Sequence, residues 1–117
     1  MKRDIVERCF KYAVRIVKFY SEIEKSGAGR IIGKQLLRSG TSIGANVYEA
    51  QSGQSKADFI SKMYIAYKEA RETVYWLRLI KEAGISNGTE ELAEEVEELI
   101  KILASIIKTT KNRSSSN

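Results

Sequence analysis

Proline and histidine are both absent from the 117-residue chain, and it holds one cysteine and one tryptophan. Proline breaks helix interiors and punctuates the turns of β-rich proteins, so a chain without it favours long helices joined by short connections. The lack of histidine excludes a helical di-metal centre built on Glu-x-x-His, and any catalytic triad that needs imidazole. One cysteine cannot form an intrachain disulfide; Cys9 stands among Phe10, Ala13 and Val17 at helical spacing and is expected to pack as a small buried hydrophobe. No apolar run reaches membrane-spanning length. The basic start Met1-Lys2-Arg3 is followed by Asp4, Glu7, Arg8 and Lys11 where a signal peptide needs an apolar stretch. The expected setting is the cytoplasm, without a membrane partner. Gly27-x-Gly29 and Ser39-Gly40-Thr41-Ser42 lack the strand context and the lysine of a phosphate-binding loop. These gaps together predict a protein that is not an enzyme and takes no metal or cofactor.

What the chain does have is amphipathic material: 43% hydrophobic and 30% charged residues, the mixture of helices that bury one face and solvate the other. Its length suits one domain, expected over residues 1–110, with a flexible polar tail over 111–117. The first helix is expected from about Asp4 to Lys25, with Val6, Phe10, Ala13, Val17 and Tyr20 inward and an Asp4/Glu7 capping box. A second, from near Gly29 to Gln51, points Ile32, Leu36, Ile43 and Val47 inward. Between these lie Ser39, Gly40, Ser42, Gly44 and Ala45, small enough for a neighbouring helix to approach closely, so the helix is expected to run on through its glycines despite their low propensity. Ser55-Lys56-Ala57-Asp58 opens a third helix carrying Phe59, Met63, Ala66, Ala70, Leu77 and Ile80 until Gly84 stops it. Thr89 can cap a fourth, with a seam of Leu92, Val96, Leu99, Leu103 and Ile106. Short connections return each helix against its predecessor. The expected fold is therefore all-α, an antiparallel up-down-up-down four-helix bundle.

The apolar positions of the first helix sweep an arc of roughly 220° at about 100° per residue, about twice what one bundle helix needs. Tyr12 and Phe19 fall near one edge of that arc, and the third helix spreads Tyr64, Tyr67, Tyr75 and Trp76 beyond its seam. Aromatics displayed in this way suit subunit interfaces, so these six residues are the expected contacts of a homo-oligomer. Charge is localised as well. Arg8, Lys11, Arg15 and Lys18 line one face of the first helix, and Arg30, Lys34 and Arg38 stripe the second. Residues 1–83 carry 16 basic and 9 acidic side chains, whereas residues 84–117 carry 4 and 6. Such stripes can track phosphates without reading sequence, and an oligomer would repeat them around its symmetry axis. The expected partner is RNA or DNA; the alternative is a scaffold that recruits a protein through the aromatic surfaces. The Glu90–Glu98 run is expected to be a solvated helix face, and Asn46, Glu49, Lys68, Arg71 and Glu72 an internal polar network.

The stretch Gln35 to Ala50, reading QLLRSGTSIGANVYEA, followed by Lys56-Ala57-Asp58-Phe59 and by Ile65-Ala66-Tyr67-Lys68-Glu69-Ala70-Arg71-Glu72-Thr73, resembles the 23S ribosomal RNA intervening-sequence protein family. Tyr75-Trp76-Leu77 followed by Gly84 also fits that family's third helix, and the likeness extends to about Lys108. The resemblance implies a four-helix bundle assembled as a ring-shaped homopentamer, with no enzymatic activity. The architecture is also similar to that of the accessory protein of diversity-generating retroelements, a basic pentamer that binds nucleic acid. By that likeness, a nucleic-acid-processing protein such as a reverse transcriptase is a further expected partner.

Overall fold

The computed structural model describes residues 2–115, and side chains from 4 to 113. The described residues form four helices and no strand: α1 (Lys2–Ile23), α2 (Gly27–Ala50), α3 (Lys56–Glu82) and α4 (Glu90–Ser115). They pack side by side in a body 53 × 21 × 20 Å across. In it the backbone of α1 lies beside those of α2 and α4, and the backbone of α3 beside the same two. No described helix is long and apolar enough to cross a membrane.

Local chemistry accounts for the boundaries. Ser26, in extended backbone, accepts a hydrogen bond on Oγ from Gly29 N at 2.9 Å and caps α2. Ser55 does the same for α3, accepting from Asp58 N at 3.1 Å. Gly84 ends α3 in the left-handed region at φ 73°, where a Cβ is strained. Gly84 N then donates to Lys81 O and Ile85 N to Ile80 O, closing a Schellman motif. α1 begins at Lys2, so Asp4 lies inside its first turn and is not its cap. α4 runs on past the expected end of the domain: residues 111–115 continue the helix, and Arg113 in its last turn complements the dipole. Of the expected tail, residues 116 and 117 lie outside the described residues.

The core contains the inward residues expected of α3 except Phe59, which is half-buried against it. It also matches α2 and α4 closely: Ile32 is only half-buried, and Ile107 rather than Ile106 completes the seam of α4. α2 is unbroken through Gly40 and Gly44. A Cβ on Gly40 would stand 2.9 Å from Ile16 Cγ1, and one on Gly44 would stand 3.2 Å from the Cys9 carbonyl oxygen. The small residues are thus where α1 comes in. Cys9 is buried, and desolvation pushes its thiol pKa from the ordinary 9.0 up to about 12.

α1 departs from expectation. Its buried face is Ile5, Cys9, Tyr12, Ile16, Phe19 and Ile23, rotated from the expected set, while Phe10, Val14 and Val17 are exposed at 61%, 37% and 48%. The wide apolar arc is split: one edge enters the core and the other faces outward. Tyr12 and Phe19 therefore belong to the core of the chain itself and are not free to make the contact with a second copy that was expected of them. The bulkiest side chains sit on the edge that went inward, and the buried Tyr12 hydroxyl has a specific partner, donating to Leu92 O at 2.9 Å. Burial raises the Tyr12 pKa.

Candidate nucleic-acid interface

The seven cations of the two stripes have separate fates. Arg8 lies against α4, where its Nε and Nη2 donate to the two Glu95 carboxylate oxygens at 3.1 and 2.8 Å, with Glu98 at 3.7 Å from Nη2. The hydrogen-bonded Glu95 carboxylate raises the Arg8 pKa. Arg15 pairs with Glu91 at 3.7 Å. Arg38 bridges to α3, pairing with Glu69 at 3.2 Å and with Glu72, whose carboxylate also accepts from Trp76 Nε1 at 2.8 Å. Arg30 donates to the Glu24 carbonyl at 3.4 Å. Lys11, Lys18 and Lys34 are exposed and enter no ion pair among the described residues. Three of the seven positive charges are thus substantially neutralised within the chain, and the seven do not converge on one site. The acidic run of α4 is correspondingly more than a solvated face, since Glu91, Glu95 and Glu98 are the counter-charges of α1.

The expected polar network between α2 and α3 does not form. Asn46 donates to the Ser42 carbonyl of its own helix, Glu49 pairs with Lys62, and Glu72 holds Arg38 and Trp76. Lys68 and Arg71 point to the outer face of α3. There they lie beside tyrosines: Lys68 Nζ is 5.9 Å from the Tyr64 ring centroid, and the Arg71 guanidinium is 5.9 Å from that of Tyr67. The two rings are offset-stacked with centroids 5.9 Å apart and planes at 22°. Tyr64 and Tyr75 are exposed, whereas Tyr67 and Trp76 are half-buried and pack against the core. Tyr64, Lys68, Arg71, Tyr75 and Arg78 follow one another at intervals of four, three, four and three, so they share one stripe. The same count that picked out Arg8, Lys11, Arg15 and Lys18 would have found this stripe.

Two shallow grooves flank these features. One, of about 590 Å³, lies between α1 and α2 against Val6, Phe10, Ala13, Gly44, Ala45 and Tyr48. Another, of about 340 Å³, lies between α3 and α4, with Tyr64 and Tyr67 on one side, Ala104 and Ile107 beneath, and Lys108 and Lys111 on the other side.

The profile of the 23S rRNA-intervening sequence protein family matches residues 1–105. Among solved structures, the chain is similar to a Bacteroides thetaiotaomicron protein of unknown function from the S23 ribosomal protein family. The two share 43% identity and a TM-score of 0.87, over 92% of this chain and 99% of that one. No protein of curated function matches.

Proposed function

For a chain that belongs to the 23S rRNA-intervening sequence protein family, we propose a non-enzymatic role: a self-assembling protein that binds RNA or DNA by charge and shape, without strong sequence preference. The observation that carries the proposal is the set of exposed cations that enter no ion pair among the described residues, Lys11, Lys18 and Lys34, on a chain of net charge +5. The cations that are paired, Arg8, Arg15 and Arg38, hold the helices in register and contribute less to the outward field.

The register of those pairs supports an up-down-up-down bundle. Arg8 meets Glu95 where Arg15 meets Glu91, and Arg38 meets Glu72 where Glu49 meets Lys62, so partner numbers fall as the chain advances. Self-association draws on the outward edge of α1: Phe10, Val14 and Val17, with Tyr48 exposed at 69% across the α1–α2 groove, take over the role expected of Tyr12 and Phe19. An apolar flank of this kind on a small subunit suits burial against a second copy, and a closed ring is the assembly proposed.

Fluorescence anisotropy with labelled structured RNA and duplex DNA, at several salt concentrations, tests the binding. Affinity should fall steeply with salt, at a slope of about 0.9 per phosphate neutralised on duplex DNA. Lys11→Ala/Lys18→Ala should weaken binding more than Arg8→Ala/Arg15→Ala, which removes the same charge. Absence of binding to either nucleic acid at low salt would refute the proposal and favour a protein-recruiting scaffold that uses the same apolar flank. Native mass spectrometry of Phe10→Asp/Val17→Asp tests assembly, and an unchanged oligomer mass would remove that flank from the interface.

A further inference from the structure

The outer face of α3 and the adjoining end of α4 combine features that neither basic stripe has. Tyr64 is half exposed and backed by Tyr67 in an offset stack. Lys68 and Arg71 lie beside those two rings, and Arg71 Nη1 also donates to the Tyr67 hydroxyl at 3.5 Å. Opposite stand Lys108 and Lys111, both exposed. None of the four cations enters an ion pair among the described residues, in contrast to Arg8, Arg15 and Arg38. The segregation of charge along α4 explains why: every acidic residue of that helix lies between Glu90 and Glu98, and every basic one at Lys101 or later. The groove is therefore lined by two aromatic rings, a short apolar floor and Lys108 and Lys111, and Lys68 and Arg71 lie next to its rings.

We propose that this α3–α4 groove is a binding site for single-stranded nucleic acid, in which a base stacks on Tyr64 while Lys68, Arg71, Lys108 and Lys111 hold the flanking phosphates. The inference rests on the nucleic-acid-binding function proposed above and gives it a second, chemically distinct contact. Stacking on aromatic side chains is tolerant of base identity, because every base offers a π face, and it requires a base that is not already stacked within a duplex. The volume of about 340 Å³ is at the small end for ligand pockets and suits one base rather than a helix of nucleic acid. A second copy of the chain is the poorer occupant. Protein–protein interfaces are depleted of lysine, whereas here Lys68, Lys108 and Lys111 border the rings.

The test compares a fluorescein-labelled oligouridylate with duplex DNA of the same length, by anisotropy, for wild type, Tyr64→Ala, Tyr64→Phe and Lys108→Ala/Lys111→Ala. Tyr64 is half exposed, so its truncation leaves the core intact; circular dichroism and native mass spectrometry check fold and assembly. The expected result is that Tyr64→Ala weakens single-strand binding by roughly 10-fold, with duplex affinity unchanged and Tyr64→Phe near wild type. The lysine pair should weaken single-strand binding and reduce its salt dependence. Unchanged single-strand affinity in Tyr64→Ala, while wild type binds both probes, would overturn this inference and leave the general binding function standing. A wild type that binds neither probe would overturn both. Equal losses on both probes, or a lower oligomer mass in Tyr64→Ala, would mark the face as a purely electrostatic or subunit surface and would likewise overturn the proposal.

Discussion

Replacing Gly40 with alanine is the sharpest probe of how α1 and α2 are held. In an exposed helix the change stabilises by about 1 kcal/mol, through propensity alone. Here the new methyl carbon would lie 2.9, 3.0 and 3.1 Å from three carbons of Ile16, well inside the roughly 3.5–4.0 Å of a relaxed carbon contact. Ile16 is fully buried and β-branched, so it cannot swing clear without leaving its rotamer, at about 0.5–1.5 kcal/mol, or forcing the helices apart. Overpacking of this kind costs about 1–3 kcal/mol, which outweighs the propensity gain in most of its range and leaves about 1 kcal/mol of net destabilisation. Urea unfolding and a thermal melt, both followed by circular dichroism at fixed protein concentration, should show this, with a lower urea midpoint and Tm lower by roughly 3–6 °C. The decisive arm is the background Ile16→Ala. There the same Gly40→Ala change should be stabilising, since the methyl fills space and the propensity gain remains, so the double-mutant cycle gives a coupling of opposite sign to the single change. A Gly40→Ala protein more stable than wild type would refute the close approach.

Cys9 should be unreactive toward a thiol reagent in the native protein and react only on unfolding, as measured by Ellman titration with and without denaturant. Its folded pKa is raised, so above pH 9 the unfolded state releases the proton first: stability is fully present below that pH and falls at roughly 1.4 kcal/mol per unit as pH climbs toward about 12. Cys9→Ala should flatten this part of the stability profile, with the Tyr12 contribution remaining at the alkaline end. Tyr12→Phe removes the buried hydrogen bond to Leu92 O and should cost about 1 kcal/mol in urea unfolding, without changing the mass of the native species; a changed native mass would show Tyr12 acting between copies of the chain. Ser55→Ala removes the cap of α3 and should cost about 1 kcal/mol, and Ser55→Asp should retain most of the stability.

The candidate sites were legible only in part. Spacing identified the cations of α1 and α2 as stripes, but a single helix cannot report what the next helix brings. Arg8 and Arg15 face Glu95, Glu98 and Glu91, more than seventy residues away in sequence, and those carboxylates remove them from the outward field. Lys68 and Arg71 were expected in an internal polar network with Asn46, Glu49 and Glu72, and the carboxylates beside them in sequence are Glu69 and Glu72. In the fold these carboxylates turn to Arg38 on α2, leaving Lys68 and Arg71 with the tyrosines on the other side of the same helix.

Four helices, the cap of α3 at Ser55 and its stop at Gly84, and most of the inward seams of α3 and α4 followed from the sequence by itself, because helix periodicity and capping are local and need only the residues within a turn or two. Tertiary structure alone decided the rotation of α1. Its apolar arc is wide enough to satisfy two different phases, and the choice was made by the glycines of α2, the Leu92 carbonyl waiting for Tyr12, and the acids of α4 waiting for Arg8 and Arg15. Phe10, Val14 and Val17 were thereby turned outward and Tyr12 and Phe19 inward. A pattern within one helix can show that too much apolar surface is present, but which part is buried depends on partners that only folding brings within reach.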